Sequence, residues 1–135
     1  MDNKDKLTGL YLFDDFIEVA SERIGEASED TLFVLISADF SKFKYINRVY
    51  SYGAGDKLIK DLADALAGQK ECVVACRPYS DHILGLFAFT KCDWDVEKER
   101  LKKLEEDFCK AHKKAYSKTS VHLNIGVYLV EDNNE

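Results

Sequence analysis

Hydrophobic positions along the chain recur at spacings that distinguish helices from strands. In the first part they lie three and four residues apart, which predicts an amphipathic helix over about residues 11–28. The nearly unbroken apolar run 31-TLFVLISAD-39 predicts a strand that is buried on both faces. The pattern then predicts a short helix over residues 43–49 and a second one that begins after residues 52–55 and ends at Gly68. Two helices therefore separate the first strand from the next.

The second half of the chain begins with two apolar segments, residues 71–77 and 82–90, which are so close together that they predict an antiparallel hairpin. Asp93 is predicted to cap a long helix after them, and a last strand is predicted over residues 120–130. The apolar stripe of that helix is expected to face the sheet and comprises Trp94, Leu101, Leu104, Phe108, Ala111 and Ala115. This order predicts an α+β fold with a βααββαβ core after one leading helix, in which helices flank a central, mostly antiparallel sheet.

Composition and charge narrow the class of protein. A length of 135 residues with 46% hydrophobic content predicts a single domain over residues 1–135. The net charge of −6, with acids and bases interspersed, argues against a nucleic-acid or membrane surface. Residues 1–10 lack the layout of a signal peptide, and the apolar run 32–36 is far too short to span a bilayer. The four cysteines have no metal-binding spacing and predict reduced thiols of a cytoplasmic protein.

Two carboxylates stand where α/β sheets usually bind ligands. Asp39 ends the predicted first strand, and Asp81 lies in the predicted hairpin turn. Together they could hold Mg²⁺, which prefers oxygen ligands, or they could have the ordinary roles of aspartate in a loop and a turn. Gly53 and Gly55 could expose backbone N–H groups to a phosphate ahead of the second helix, or they could form a plain loop-to-helix junction. Both questions stay open at this level.

Two longer motifs resemble those of a known family. The segment 5-DKLTGLYLFDDF-16 is similar to the DxLTGLxNRxxF motif of GGDEF domains, the diguanylate cyclases that join two GTP molecules into cyclic di-GMP. The segment 39-DFSKFKYINRVYSYGAGDKL-58 resembles the DxDxFKxINDxYGHxxGDxxL motif of that family. The hairpin falls where the family has RYGGDEF, and 124-NIGVYL-129 falls on its SIGVA strand. The resemblance covers nearly the whole chain and implies the ferredoxin-like fold of nucleotidyl cyclases.

The resemblance implies a divalent cation site at the end of the first strand. Asp39 and the backbone carbonyl of Phe40 would bind Mg²⁺, and Asp81, in the third place of the signature, would be the other metal ligand. Asp81 would also be the catalytic residue if the chain is active. The metal would offset the charge of the triphosphate and polarise the α-phosphorus for attack by a 3′-hydroxyl group.

The resemblance also implies a nucleotide site. Asn47 and Asp56 would recognise guanine, because an amide and a carboxylate together match the donor and acceptor groups on its edge. Lys44 would approach the phosphates. All three side chains are present, so GTP is the expected ligand.

The signature turn departs from the family pattern. Tyr79 and Ser80 replace two glycines, His82 replaces the acid in the fourth place, and Ile83 replaces the aromatic residue in the fifth. Glycine permits positive φ and lets a nucleotide approach the backbone, so these changes predict a turn of another shape or a partly filled pocket. Only Asp81 is retained. The signature is therefore degenerate.

Two further departures concern regulation and the extent of the chain. The RxxD product-inhibition motif of the family would fall on Lys70 and Val73, so the sequence predicts that this site is absent. The closing helix that follows the SIGVA strand in the family is also missing. This favours a domain excised from a longer chain, or a shortened one.

Three functions are compatible with this mixture of retained and lost residues. The leading hypothesis is a catalytically inactive domain that binds GTP with Mg²⁺ and regulates a neighbouring domain, such as the EAL phosphodiesterase that often follows degenerate members of the family. The second is residual cyclase activity, which requires two half-sites facing each other across a homodimer. The third is an interaction module without a ligand, in which Tyr79 blocks the pocket.

Overall fold

The computed structural model describes residues 4–118 and 121–130, and its elements follow the predicted order. The helices and strands are α1 Phe13–Gly25, β1 Thr31–Phe40, α2 Phe43–Val49, α3 Tyr52–Ala67, β2 Cys72–Cys76, β3 Ile83–Thr90, α4 Trp94–Lys113 and β4 Leu123–Leu129. The predicted βααββαβ core after one leading helix is therefore confirmed. Ser120, the first residue of the predicted last strand, lies outside the described residues.

The strands form one four-stranded sheet in the order β2-β3-β1-β4, and each of its three pairings is antiparallel. β1 is central, because it pairs with β3 from Thr31 to Ala38 and with β4 from Val34 to Phe40. Successive side chains of a strand point to opposite faces, so a central strand covered on both faces is apolar along its length. The sheet order explains the unbroken apolar run of β1.

Helices cover the two faces of the sheet with separate apolar clusters. On one face, Val34 and Ile36 of β1 pack with α3 and α4. On the other, Phe33 packs with Phe16 and Ala20 of α1. The largest side chains that are almost completely buried are Phe16, Phe87, Ile36, Ile46, Leu58, Ile59, Leu62, Ile83 and Leu86. No helix among residues 4–118 and 121–130 is long and apolar enough to cross a membrane.

Helix α4 ends at Lys113, and the inward side of its last turn and of the residues just after it differs from the predicted stripe. Ala111 and Ala115 are exposed, whereas Tyr116 is buried and His112 is half-buried. The His112 Nε2 atom lies 2.9 Å from the Asp61 Oδ2 atom of α3. A polar pair between α3 and α4 has therefore replaced the expected small apolar contacts, which hydrophobic periodicity cannot detect.

The start of α4 also differs from the prediction. A short 3₁₀ helix, Lys91–Asp93, precedes it, and Asp93 has helical backbone angles (φ −96°, ψ 0°) without a side-chain capping hydrogen bond. An N-cap residue needs extended backbone angles to turn its carboxylate onto the first free N–H groups. Asp93 therefore stands at the cap position without making the predicted cap.

The four cysteines differ in burial. All four thiols are free: Cys76 is buried, Cys72 and Cys109 are half-buried and Cys92 is exposed. Burial raises the pKa of Cys72 to about 11 and that of Cys76 to about 12. Both thiols stay protonated at neutral pH and act as small apolar groups.

Candidate functional site

The residues predicted to bind Mg²⁺ lie close together at the C-terminal end of β1. The register pairs Ala38 with Ile83, which places Asp39 beside the turn that joins β2 to β3. On the other side of β1, Asp39 pairs with Asn124 of β4. Because β1 is central, side chains from its C-terminal end, from the turn between β2 and β3 and from the start of β4 lie close together.

Asp39 is engaged from both neighbouring strands. Its Oδ1 atom accepts a hydrogen bond of 2.9 Å from the Nδ2 atom of Asn124. Its Oδ2 atom lies 3.3 Å from the Nδ1 atom of His82. The histidine that stands in the fourth place of the signature therefore contacts the first predicted metal ligand directly.

Asp81 is buried in the turn, with 7% of its surface exposed. Its Oδ2 atom accepts a hydrogen bond of 2.8 Å from the backbone N–H of Phe40, and its Oδ1 atom lies 3.3 Å from the Ser80 hydroxyl oxygen. A buried carboxylate is tolerated only where donors satisfy it. Asp81 thus links the hairpin turn to the end of β1, a role in folding that is separate from any role in catalysis.

The two carboxylates do not present an open divalent cation site. Three of the four carboxylate oxygens of Asp39 and Asp81 accept a hydrogen bond from the protein, and the fourth, Asp39 Oδ2, lies beside His82 Nδ1. Within the described part of the chain, no group of three or more His, Cys, Asp or Glu side chains is arranged to hold a metal ion. Mg²⁺ needs several oxygen ligands in near-octahedral geometry. The residues in this arrangement do not fit the cation that the resemblance implied.

The signature turn has a defined shape without its glycines. Ser80 has a φ of 52°, the left-handed region in which glycine is favoured, and the His82 N–H donates to the Tyr79 carbonyl at 3.0 Å. The Tyr79 ring is 63% exposed and lies against the His82 ring, with 4.3 Å between ring centroids. Tyr79 therefore covers His82 from the solvent side, and its ring is not inserted into the protein interior.

Arg77 and Asp5 tie the N-terminal segment to this turn, a connection that the sequence did not predict. The Arg77 Nε–H donates to the Ser80 carbonyl at 2.7 Å, and the Arg77 guanidinium lies 3.2 Å from Asp5 Oδ1. Asp5 Oδ2 also accepts hydrogen bonds of 2.8 Å from the backbone N–H and hydroxyl of Thr8. The available signal was that Asp5 opens the segment 5–16 and that Arg77 falls on the arginine of the RYGGDEF signature.

Replacing Asp5 with asparagine is expected to lower the free energy of unfolding by about 1–2 kcal/mol at neutral pH, because hydrogen bonds to a charged group are worth about 1.5–3 kcal/mol each and an amide keeps part of them. Burial raises the pKa of Asp5, but the hydrogen bonds from Thr8 and the charge of Arg77 outweigh it and leave the pKa below its usual value. The stabilisation is therefore present above about pH 4, the pKa of an unfolded aspartate, and disappears as the pH falls through the folded-state pKa.

Urea unfolding at pH 7 and near pH 3 measures this difference. The gap between the wild type and Asp5→Asn should shrink at the lower pH. Glu29→Gln, which removes the same charge from an exposed loop position, is the control and should change stability by less than about 0.5 kcal/mol. An equal gap at both pH values would contradict the assignment.

The predicted guanine-binding residues lie where α2 meets α3. Asn47 of α2 packs against the buried Gly55 of α3, and a Cβ atom on Gly55 would overlap Asn47 Oδ1. That oxygen is buried and has no hydrogen-bond partner. Asp56, the next residue of α3, and Lys44, one turn before Asn47 on α2, are both exposed. Asp56 and Lys44 are thus accessible to a ligand, and they lie near the Asn47 amide, whose oxygen has no hydrogen-bond partner.

Gly53 and Gly55 do not form a loop ahead of the second helix. Both glycines lie within the first turn of α3, after the N-cap residue Ser51. The Ser51 hydroxyl accepts from the Ala54 N–H at 3.0 Å, and the Ser51 carbonyl accepts from the Gly55 N–H at 3.1 Å. The N–H groups of Ala54 and Gly55 both donate to Ser51 at the start of the helix. Gly55 is required instead for the close approach of α2.

Comparison with known proteins agrees with this architecture. The family model described as diguanylate cyclase, GGDEF domain, matches residues 2–135. A microbial GGDEF domain studied with bis-(3′,5′)-cyclic di-GMP has a TM-score of 0.74 at 19% identity, over 100% of this chain and 83% of that chain. The GGDEF domain of DgcB from Caulobacter crescentus, in complex with c-di-GMP, has a TM-score of 0.72 at 18% identity, over 98% and 80%. The FimX GGDEF domain from Pseudomonas aeruginosa has a TM-score of 0.72 at 15% identity, over 100% and 84%.

None of the curated proteins matches the chain. At 15–19% identity the solved structures show the fold alone. The family model, in contrast, covers nearly the whole sequence. The chain therefore belongs to the diguanylate cyclase, GGDEF domain, family of cyclic di-GMP signalling.

Proposed function

We propose that this chain is a regulatory GGDEF domain that binds GTP without converting it to cyclic di-GMP. The observation that carries the proposal is the buried, unpartnered Oδ1 atom of Asn47. A buried polar atom without a partner costs about 1–3 kcal/mol, so a ligand that donates to it gains affinity. Guanine has such a donor group on its edge. Asp56, next to Gly55, offers a second acceptor, and Lys44 a positive charge for the phosphates.

The changes in the turn argue against turnover. His82 lies against Asp39 where the family has an acid, and Asp81 is held by the Phe40 N–H. Misplacement of reacting groups by about 1 Å can cost about 100-fold in rate, and here several of the groups that would align the reaction are altered together. The ligand-free alternative, in which Tyr79 blocks the pocket, gains no support from burial, because Tyr79 is 63% exposed.

The proposal extends to the context of the domain. We place it in the cytoplasm, as one domain of a longer chain in which GTP binding would change the activity of a neighbouring output domain, such as an EAL phosphodiesterase. A homodimer is required only if the chain makes cyclic di-GMP, because that reaction needs two half-sites. A regulatory role needs one bound nucleotide per domain.

Calorimetric titration with GTP in excess Mg²⁺ tests the proposal. We expect saturable binding to the wild type and a dissociation constant at least about tenfold higher for Asn47→Ala, the loss expected when a site can no longer hydrogen-bond its ligand. Gln69→Ala removes a side chain with the same amide group beyond the C-terminal end of α3 and should leave GTP binding unchanged. ATP is the matched ligand control and should bind at least about tenfold more weakly than GTP.

Two outcomes would contradict the proposal. If GTP does not bind at millimolar concentration, or binds Asn47→Ala as well as the wild type, the site does not recognise guanine. If chromatography of the titrated sample detects cyclic di-GMP, the domain is a cyclase with residual activity, and the regulatory assignment fails in its second part.

A further inference from the structure

A histidine side chain, that of His82, faces the carboxylate of Asp39. The Nδ1 atom of His82 lies 3.3 Å from Asp39 Oδ2. An imidazole nitrogen that carries a hydrogen, in the neutral Nδ1–H tautomer or in the cation, can face a carboxylate oxygen favourably. A nitrogen of the His82 ring therefore lies next to this oxygen.

His82 is also held in place from its other side. The ring of Tyr79 lies 4.3 Å from the imidazole ring, centroid to centroid, at an angle of 31°. The His82 N–H donates to the Tyr79 carbonyl at 3.0 Å, which closes the turn between the two residues. The turn and the Tyr79 ring thus support the imidazole in its position beside Asp39.

The same substitution changes the charge of the site. Two carboxylates, Asp39 and Asp81, remain where the family pattern supplies a third acid at the position of His82. Mg²⁺ is bound through carboxylates, carbonyls and water, and imidazole suits softer metals. The site has thus lost one negative charge, and His82 contacts an oxygen of Asp39.

We propose that His82 takes the place of the divalent cation beside Asp39, so that nucleotide binding to this domain is independent of Mg²⁺. This inference rests on the proposed function, because it specifies how GTP is held there. The charge of the triphosphate is then met by protein groups such as the exposed Lys44 of α2.

Measuring GTP affinity with and without the metal tests this directly. We expect the calorimetric dissociation constant of the wild type to differ by less than about threefold between excess EDTA and excess Mg²⁺. His82→Glu should bind at least about tenfold more weakly in EDTA than in Mg²⁺, because a third carboxylate repels the free triphosphate and supplies a metal ligand. His122→Glu makes the same charge change at an exposed position just before β4 and should behave as the wild type. Wild-type binding that requires Mg²⁺ would overturn the inference.

A second measurement needs no nucleotide. Electron paramagnetic resonance of Mn²⁺ follows the free ion as protein is added. We expect the wild type and His122→Glu to take up no Mn²⁺ below about 1 mM, and His82→Glu to take it up at least about tenfold more tightly. If the wild type binds Mn²⁺ as tightly as His82→Glu, the inference fails. If GTP binds none of the proteins in either buffer, the proposed function fails, and the Mn²⁺ titration alone decides whether His82 excludes the metal.

Discussion

Replacing Gly55 with alanine is expected to abolish GTP binding and to lower the free energy of unfolding by about 1–3 kcal/mol, the usual range for overpacking a well-packed contact. The added Cβ atom would overlap Asn47 Oδ1 and lie 3.0 Å from the Phe43 Cζ atom, so both side chains of α2 must move. An alanine in a helix is otherwise about 1 kcal/mol more favourable than a glycine, so the clash has to exceed that gain. Displacement of Asn47 removes the amide that we assign to guanine.

Gly53→Ala is the matched control, because it makes the same change two residues earlier in the same helical turn. A Cβ atom there would meet only the Ser51 hydroxyl oxygen, at 3.7 Å, which is ordinary contact. This variant should be as stable as the wild type or up to about 1 kcal/mol more stable, and it should bind GTP normally. Chemical denaturation and GTP calorimetry on the two variants measure both effects. Equal behaviour of the two variants would show that the α2–α3 contact does not position the nucleotide site.

Asp81→Ala is expected to lower the free energy of unfolding by about 2–3 kcal/mol, although Asp81 would ordinarily be regarded as a catalytic residue. The substitution removes the acceptor of the Phe40 N–H at 2.8 Å and leaves that donor buried beneath the turn. A buried donor without its acceptor costs about 1–3 kcal/mol, and the bond to a carboxylate is among the stronger ones. Urea denaturation at neutral pH measures the loss.

Asp81→Asn separates the hydrogen bond from the negative charge. The amide oxygen of asparagine can still accept from the Phe40 N–H, so this variant should retain more than half of the stability that Asp81→Ala loses. If both variants are destabilised equally, the charge of Asp81 matters more than its hydrogen bond. If neither is destabilised, the buried link between the turn and β1 does not stabilise the fold.

The residues that the sequence placed correctly are those whose signal is local. The apolar run of β1 and the spacing in α2 predicted their elements closely: the strand over residues 31–39 is observed as Thr31–Phe40, and the helix over 43–49 as Phe43–Val49. Helix α1 is shorter than predicted: it was expected over residues 11–28 and is observed as Phe13–Gly25. Hydrophobic periodicity reports which side chains share a face, but it does not report where backbone hydrogen bonding stops.

The errors occurred where a polar contact, local or distant, decides the structure. His112 turns inward because it meets Asp61, 51 residues away in the chain. Gly53 and Gly55 belong to α3 because Ser51 caps that helix, although a glycine pair also suits a loop. In both places the local sequence was compatible with two outcomes, and only one of them satisfied the neighbouring donors and acceptors.

The sequence by itself determined the order of elements, the membership of the GGDEF family and the positions of the lost glycines, because each of these is carried by neighbouring residues in the chain. Only the tertiary structure decided what the remaining residues do. Antiparallel pairing of β1 with β3 brought His82 against Asp39 and Asp81 onto the Phe40 N–H, and packing of α2 on α3 left Asn47 buried without a partner. These contacts join residues 41–43 positions apart or on different helices. They depend on register and packing, which no local pattern encodes.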